Sequence, residues 1–92
     1  MPRVHVELPA LLRRFVGNRA RVDVTATTLA GALERLVEEA PALRVHLFDE
    51  RGALRRHVLC FHNETDTRHV EPGDAALAEG DTIRILQAVS GG

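Results

Sequence analysis

The sequence contains no lysine, no tryptophan and no tyrosine, a single cysteine, Cys60, and a single serine, Ser90. Each absence removes a class of chemistry. Without lysine there is no Schiff base, no phosphate-loop lysine, and no side chain on this chain that can receive an isopeptide bond. One thiol cannot form an internal disulfide. The start, Met-Pro-Arg-Val-His, carries no apolar export segment, so the expected setting is a reducing cytoplasm. Ser90 stands in a terminal stretch that cannot hold a nucleophile rigidly against a base, which excludes a Ser-His-Asp arrangement. Three phenylalanines are the whole aromatic inventory. Residues 1–46 carry seven arginines against five acids, and residues 47–92 five against eight. Neither half offers the clustered cations and stacking rings of a nucleic-acid surface. No apolar run approaches the length of a membrane span, and no Gly-x-Gly-x-x-Gly, phosphate-cradling loop or Cys-x-x-Cys occurs.

What is present suffices for one small domain. Folding 92 residues removes roughly 64% of the extended chain's surface from water. Residues 3–8 alternate, with Val4, Val6 and Leu8 on one side, and residues 20–26 alternate through Val22, Val24 and Ala26. This is the period of half-buried strands. Between them Leu11, Leu12, Phe15 and Val16 are expected to cap one edge of the core, before a turn at Gly17-Asn18. Thr28 is the expected N-cap of a helix whose stripe is Leu29, Leu33, Leu36, Val37 and Ala40, with Glu34, Arg35, Glu38 and Glu39 facing water. Pro41 ends it. Gly31 inside this helix costs about 1 kcal/mol relative to alanine, which a close helix-to-sheet approach would explain.

Residues 42–56 read as a connector with an exposed turn at 49–52. A third strand is expected over 57–62 and a turn over Asn63–Asp66. A short return strand near 68–70 follows, then an apolar anchor at Leu77, a Gly80-Asp81 turn, and a last strand over 82–86 with Ile83 and Ile85 inward. The fold class is α+β: a mixed sheet packed on one amphipathic helix, with the sheet's other face open. The expected division is a domain over 1–86 and a C-terminal Gly-Gly tail over 87–92.

Two features invite chemistry. With the turn at 63–66, His69 would sit opposite Cys60 and near His62, giving three potential metal ligands on one surface. A zinc site needs a fourth group and a second shell that the sequence does not supply, so no metal is expected. The lone cysteine and the histidines are expected on the open sheet face, and His5 and His57 on strand surface. The other feature is the tail. Gly91-Gly92 after a strand presents a bare α-carboxylate on a lead of six residues that spans roughly 20 Å when extended.

Thr28-Leu29-Ala30-Gly31-Ala32-Leu33, His62-Asn63-Glu64 with Arg68, and Leu77-Ala78-Glu79-Gly80-Asp81 with Ile83, Ile85 and Ala88-Val89-Ser90-Gly91-Gly92 resemble the ubiquitin-like β-grasp sulfur carriers. That ThiS/MoaD-like family includes the thiamin-biosynthesis carrier and the small subunit of molybdopterin synthase. The connector and Leu54-Arg55-Arg56-His57-Val58 are most similar to the subgroup serving cysteine synthesis. Gln87 departs from the proline that most members have there. The resemblance implies a β-grasp fold and a protein-borne sulfur donor, not itself an enzyme. The Gly92 carboxylate would be adenylated and converted to a thiocarboxylate, with Gly91 giving clearance and Leu86, Val89 and Ser90 touching partners. It further implies no bound cofactor, ATP used by a ubiquitin-activating-type adenylating partner, and a cysteine-synthase-like or other biosynthetic acceptor of the sulfur. Alternatives are a molybdopterin-synthase subunit and a protein modifier joined through Gly92.

Overall fold

The computed structural model describes residues 1–67 and 76–87. Five strands form one sheet: β1 (Arg3–Glu7), β2 (Arg21–Thr25), β3 (Val58–His62), β4 (Thr65–Asp66) and β5 (Thr82–Gln87), in the order β2-β1-β5-β3-β4. β1 and β5 run parallel at its centre, and every other pairing is antiparallel. The alternation in the sequence becomes a buried inner face. Val4 lies opposite Val24, Val6 lies between Val22 and Ile83, and Cys60 is opposite Ile85.

That face packs against α1 (Leu29–Glu39), whose Leu29, Ala32, Leu33, Leu36 and Val37 are all buried in the same cluster. The Thr28 hydroxyl accepts the Gly31 amide at 3.1 Å, satisfying one of the donors that a helix start leaves orphaned. A Cβ on Gly31 would stand 3.3 Å from that hydroxyl oxygen and 3.5 Å from the Ala26 Cβ. The glycine is therefore explained by the crowding of the cap against the end of the hairpin. Gly17 and Asn18 both take positive φ, 67° and 62°, as a tight reversal demands.

Four expectations need correction. Leu11 is 75% exposed, whereas Leu12 and Val16 are buried and Phe15 packs at the margin. Residues 10–16 wind as a 3-10 helix, and Leu11 falls on the side opposite the i, i+4 pair Leu12 and Val16. The connector is also not structureless. Residues 41–43 form a 3-10 turn and Arg44–Leu47 a short helix, α2, which drive Leu43 and Leu47 to complete burial.

The third and fourth corrections concern strands. β3 turns over Asn63-Glu64 alone, with Asn63 at φ 55°, so β4 falls at 65–66. The strand expected near 68–70 lies outside the described residues. β5 runs one residue past the expected end, because Gln87 still pairs with Val58. Leu77 is the buried anchor expected, tied by its amide to the Thr27 carbonyl at 2.9 Å. No described helix is long and apolar enough to cross a membrane.

Candidate functional site

β5 is bonded along both edges, to β1 and to β3, and its last residue, Gln87, is the point from which the chain continues toward Gly92. The pairing of Gln87 with Val58 fixes where β5 ends. Gly91, Gly92, Val89 and Ser90 lie outside the described residues. Leu86, the remaining expected contact residue, is on the open face of the sheet, 38% exposed. Its neighbour across β3 is Leu59, and Phe61 lies opposite Arg84 on the same face. The Arg84 guanidinium Nε donates to Glu7 Oε1 at 2.9 Å. The outer sheet beside the strand end is thus a small apolar strip of Leu59, Phe61 and Leu86, closed on one side by an ion pair. Strips of this kind are desolvated cheaply on contact with another protein.

Of the three potential ligands Cys60, His62 and His69, the first two are described. Cys60 is buried in the core on the helix side of the sheet, and burial pushes its thiol pKa up. His62 Nε2 donates to Asp81 Oδ2 at 2.7 Å and is half-buried. Because the turn takes two residues, Thr67 lies opposite Cys60, its amide and hydroxyl donating to the Cys60 carbonyl at 3.0 and 2.8 Å. His69 is outside the described residues, among which no group of three metal-ligating side chains occurs. The histidine and cysteine placements expected on the open face are therefore wrong for Cys60 and His62, and His57 is exposed just ahead of β3.

Two acid-histidine clusters escaped the sequence reading. Asp23 receives His5 Nδ1 at 2.7 Å on the open face, with Arg3 at 3.2 Å and Arg21 at 3.5 Å. Its carboxyl is held below the usual aspartate range, first by the hydrogen bond from His5. Asp81 receives His62, the Ala78 amide at 2.9 Å and the Asn63 side-chain amide at 3.3 Å. Asn63 in turn accepts from the Thr82 amide at 2.9 Å. The cluster pins the β3-β4 turn to the start of β5, and its bonds lower the Asp81 pKa, His62 contributing most. The first pair was derivable, since any in-register hairpin closing at Leu8 and Ala20 sets His5 opposite Asp23. The second joins residues 19 apart in sequence and had no local signal.

Between β2 and α1 lies a groove of about 370 Å³ lined by Arg3, Asp23, Arg35, Glu38 and Glu39 among others. Four of its charges pair with one another, Arg3 with Asp23 and Arg35 with Glu38. That is the chemistry of a solvated surface, where the exposed Glu39 alone does not make a convergent set of groups to bind a small molecule.

Comparison with known proteins gives one consistent picture. The model of the ThiS family matches residues 6–92. The sulfur carrier protein CysO of Mycobacterium tuberculosis is 32% identical over 91 residues, 97% of this chain and 98% of that protein. The crystal structure of M. tuberculosis CysO superposes with a TM-score of 0.85 at 31% identity, covering 94% of this chain and 99% of that one. The solution structure of the small archaeal modifier protein 1 of Methanosarcina acetivorans superposes at 0.83 with 31% identity, covering 100% and 98%. The crystal structure of the Amycolatopsis orientalis BexX/CysO complex contributes a chain at 0.85 and 28% identity, covering 97% of this chain and 99% of that one.

Proposed function

Because this chain belongs to the ThiS family, we propose that it is a sulfur carrier whose working atom is the terminal carboxyl carbon of Gly92, and that it acts as a co-substrate of partner enzymes. The observation that carries the reading is the reach of the relatedness. The family match runs to residue 92, and the carrier from M. tuberculosis is matched over nearly its whole length. In the proposed cycle a ubiquitin-activating-type partner binds the open sheet face around Leu86 and takes the last residues into its nucleotide site. A Gly92 carboxylate oxygen attacks the α-phosphorus of ATP, pyrophosphate leaves, and an acyl-adenylate forms. Sulfide then attacks the acyl carbon and expels AMP, leaving a thiocarboxylate. The acceptor is an enzyme making cysteine or a related sulfur metabolite.

Glycine at both final positions has a physical reason. A Cβ would widen the chain inside a narrow channel and restrict the dihedrals needed for in-line attack. A second reading, a modifier joined to a target amine through Gly92, is favoured by the likeness to the archaeal modifier protein. One experiment separates them. Incubation with the host's adenylating enzyme, ATP and sulfide is expected to exchange one oxygen for sulfur in the intact mass. An unchanged mass with demonstrably active enzyme overturns the carrier reading, and larger covalent adducts in host lysate support the modifier.

A further inference from the structure

The distribution of arginine around the sheet is uneven in a way the net charge of −1 conceals. Strand register assigns each segment to an end. Glu7, Arg21, Val58 and Gln87 share the end at which β5 hands the chain on toward Gly92, and Asp81, Thr82 and the β3-β4 turn share the other. At the exit end, segments 7–21, 54–58 and 84–87 contain seven arginines and one acid, Glu7. At the far end, segments 62–66 and 76–82 contain four carboxylates and no arginine.

The exit-end arginines are also positioned. Arg13, Arg19 and Arg55 each donate Nε to a backbone carbonyl, of Leu8 at 3.0 Å, Val16 at 2.7 Å and Val45 at 2.7 Å. That bond restrains the guanidinium and leaves its outer N–H groups for another acceptor. Arg14 lies over the Phe15 ring at 4.8 Å, and Arg56 is exposed immediately before β3. None of these five bonds a carboxylate among the described residues; Asp49, the acid whose field Arg55 feels, has its Oδ1 taken by the amides of Arg51 and Ala53. At the far end Arg3 is paired with Asp23, and His62 is hydrogen-bonded to Asp81.

We propose that this collar of five arginines, unpaired among the described residues, at the strand-end from which the chain continues toward Gly92, docks on a ring of carboxylates around the mouth of the adenylating partner's channel. The inference rests on the carrier reading and deepens it. Guanidinium pairs with carboxylate in a planar two-bond geometry, and opposite charge at a mouth accelerates encounter and orients the carrier tail-first, its acidic end being repelled. A nucleic-acid ligand is disfavoured by the far-end acids and by the absence of stacking rings other than three phenylalanines.

The test uses full-length protein and the host's adenylating enzyme, with sulfur charging followed by mass. In the double variant Arg14→Glu/Arg56→Glu, which alters no hydrogen bond of the body, KM for the carrier is expected to rise roughly tenfold with kcat unchanged. Raising NaCl from about 0.05 to 0.3 M should raise KM steeply for the wild type and little for the variant. Glu64→Arg at the far end should leave KM unaltered. Should the charge reversal impair folding, by thermal unfolding, Arg14→Gln/Arg56→Gln gives the same comparison with a smaller rise. Equal KM and equal salt dependence in variant and wild type overturn the collar while charging of the wild type upholds the carrier reading. No charging of the wild type removes both. Retention of the wild type by a single-stranded RNA oligonucleotide, lost in the double variant, with KM unchanged, replaces the acidic partner with nucleic acid.

Discussion

Asp81 shows how a single residue couples the β3-β4 turn to the start of β5. Its carboxylate gathers an imidazole, a backbone amide and a side-chain amide, and so has a pKa below its ordinary 3.8. A depressed carboxyl favours the folded state at pH above its unfolded pKa, and the benefit disappears as pH falls through the folded value. Asp23, lowered by His5, Arg21 and Arg3, acts in the same direction. Thermal unfolding followed from pH 7 to pH 2 should therefore show a decline beginning near pH 4. Asp81→Asn is expected to lower stability by about 1–2 kcal/mol at neutral pH and to flatten that acid limb. An unchanged pH profile in the variant would show that the cluster carries no proton linkage. At the same scale the structure separates residues that look alike in sequence. Leu11 and Leu12 are adjacent leucines, one exposed and one buried, and only the 3-10 winding decides which.

At the scale of elements, α1 and the connector after it behave differently. α1 was legible because its apolar residues repeat over three turns, and a capping threonine and a terminating proline bracket it. Thr28→Ala should cost about 1 kcal/mol, read as a lowered urea midpoint at constant slope. The connector was not legible. A four-residue helix and a three-residue 3-10 turn are too short to display any period, and their buried leucines are placed by the helix and strands around them. Leu47→Ala is nonetheless expected to cost roughly 2–5 kcal/mol, whereas Val45→Ala, two residues away and 64% exposed, should change stability by less than about 0.5 kcal/mol. Comparable losses for the two would mean that α2 does not hold its place in the core.

At the scale of the molecule, the buried cluster among the described residues spans positions 4–85, and Gly91 and Gly92 have no side chain to contribute to it. Deleting Gly91 and Gly92 should leave the unfolding temperature within about 2 °C of the wild type and abolish sulfur charging. A large fall in that temperature would mean the end of the chain is part of the body. The amino-acid order by itself determined β1, β2, β3 and β5, the capped helix, the mixed sheet on one helix and the glycine end, because each is written in neighbouring residues as period, cap or breaker. Only the tertiary structure decided that β3 turns in two residues, that Cys60 faces the core, that His62 binds Asp81, and that arginines from three separate segments ring one end of the sheet. These depend on register and on contacts across long separations, and a strand displaced by one residue turns every side chain to the opposite face.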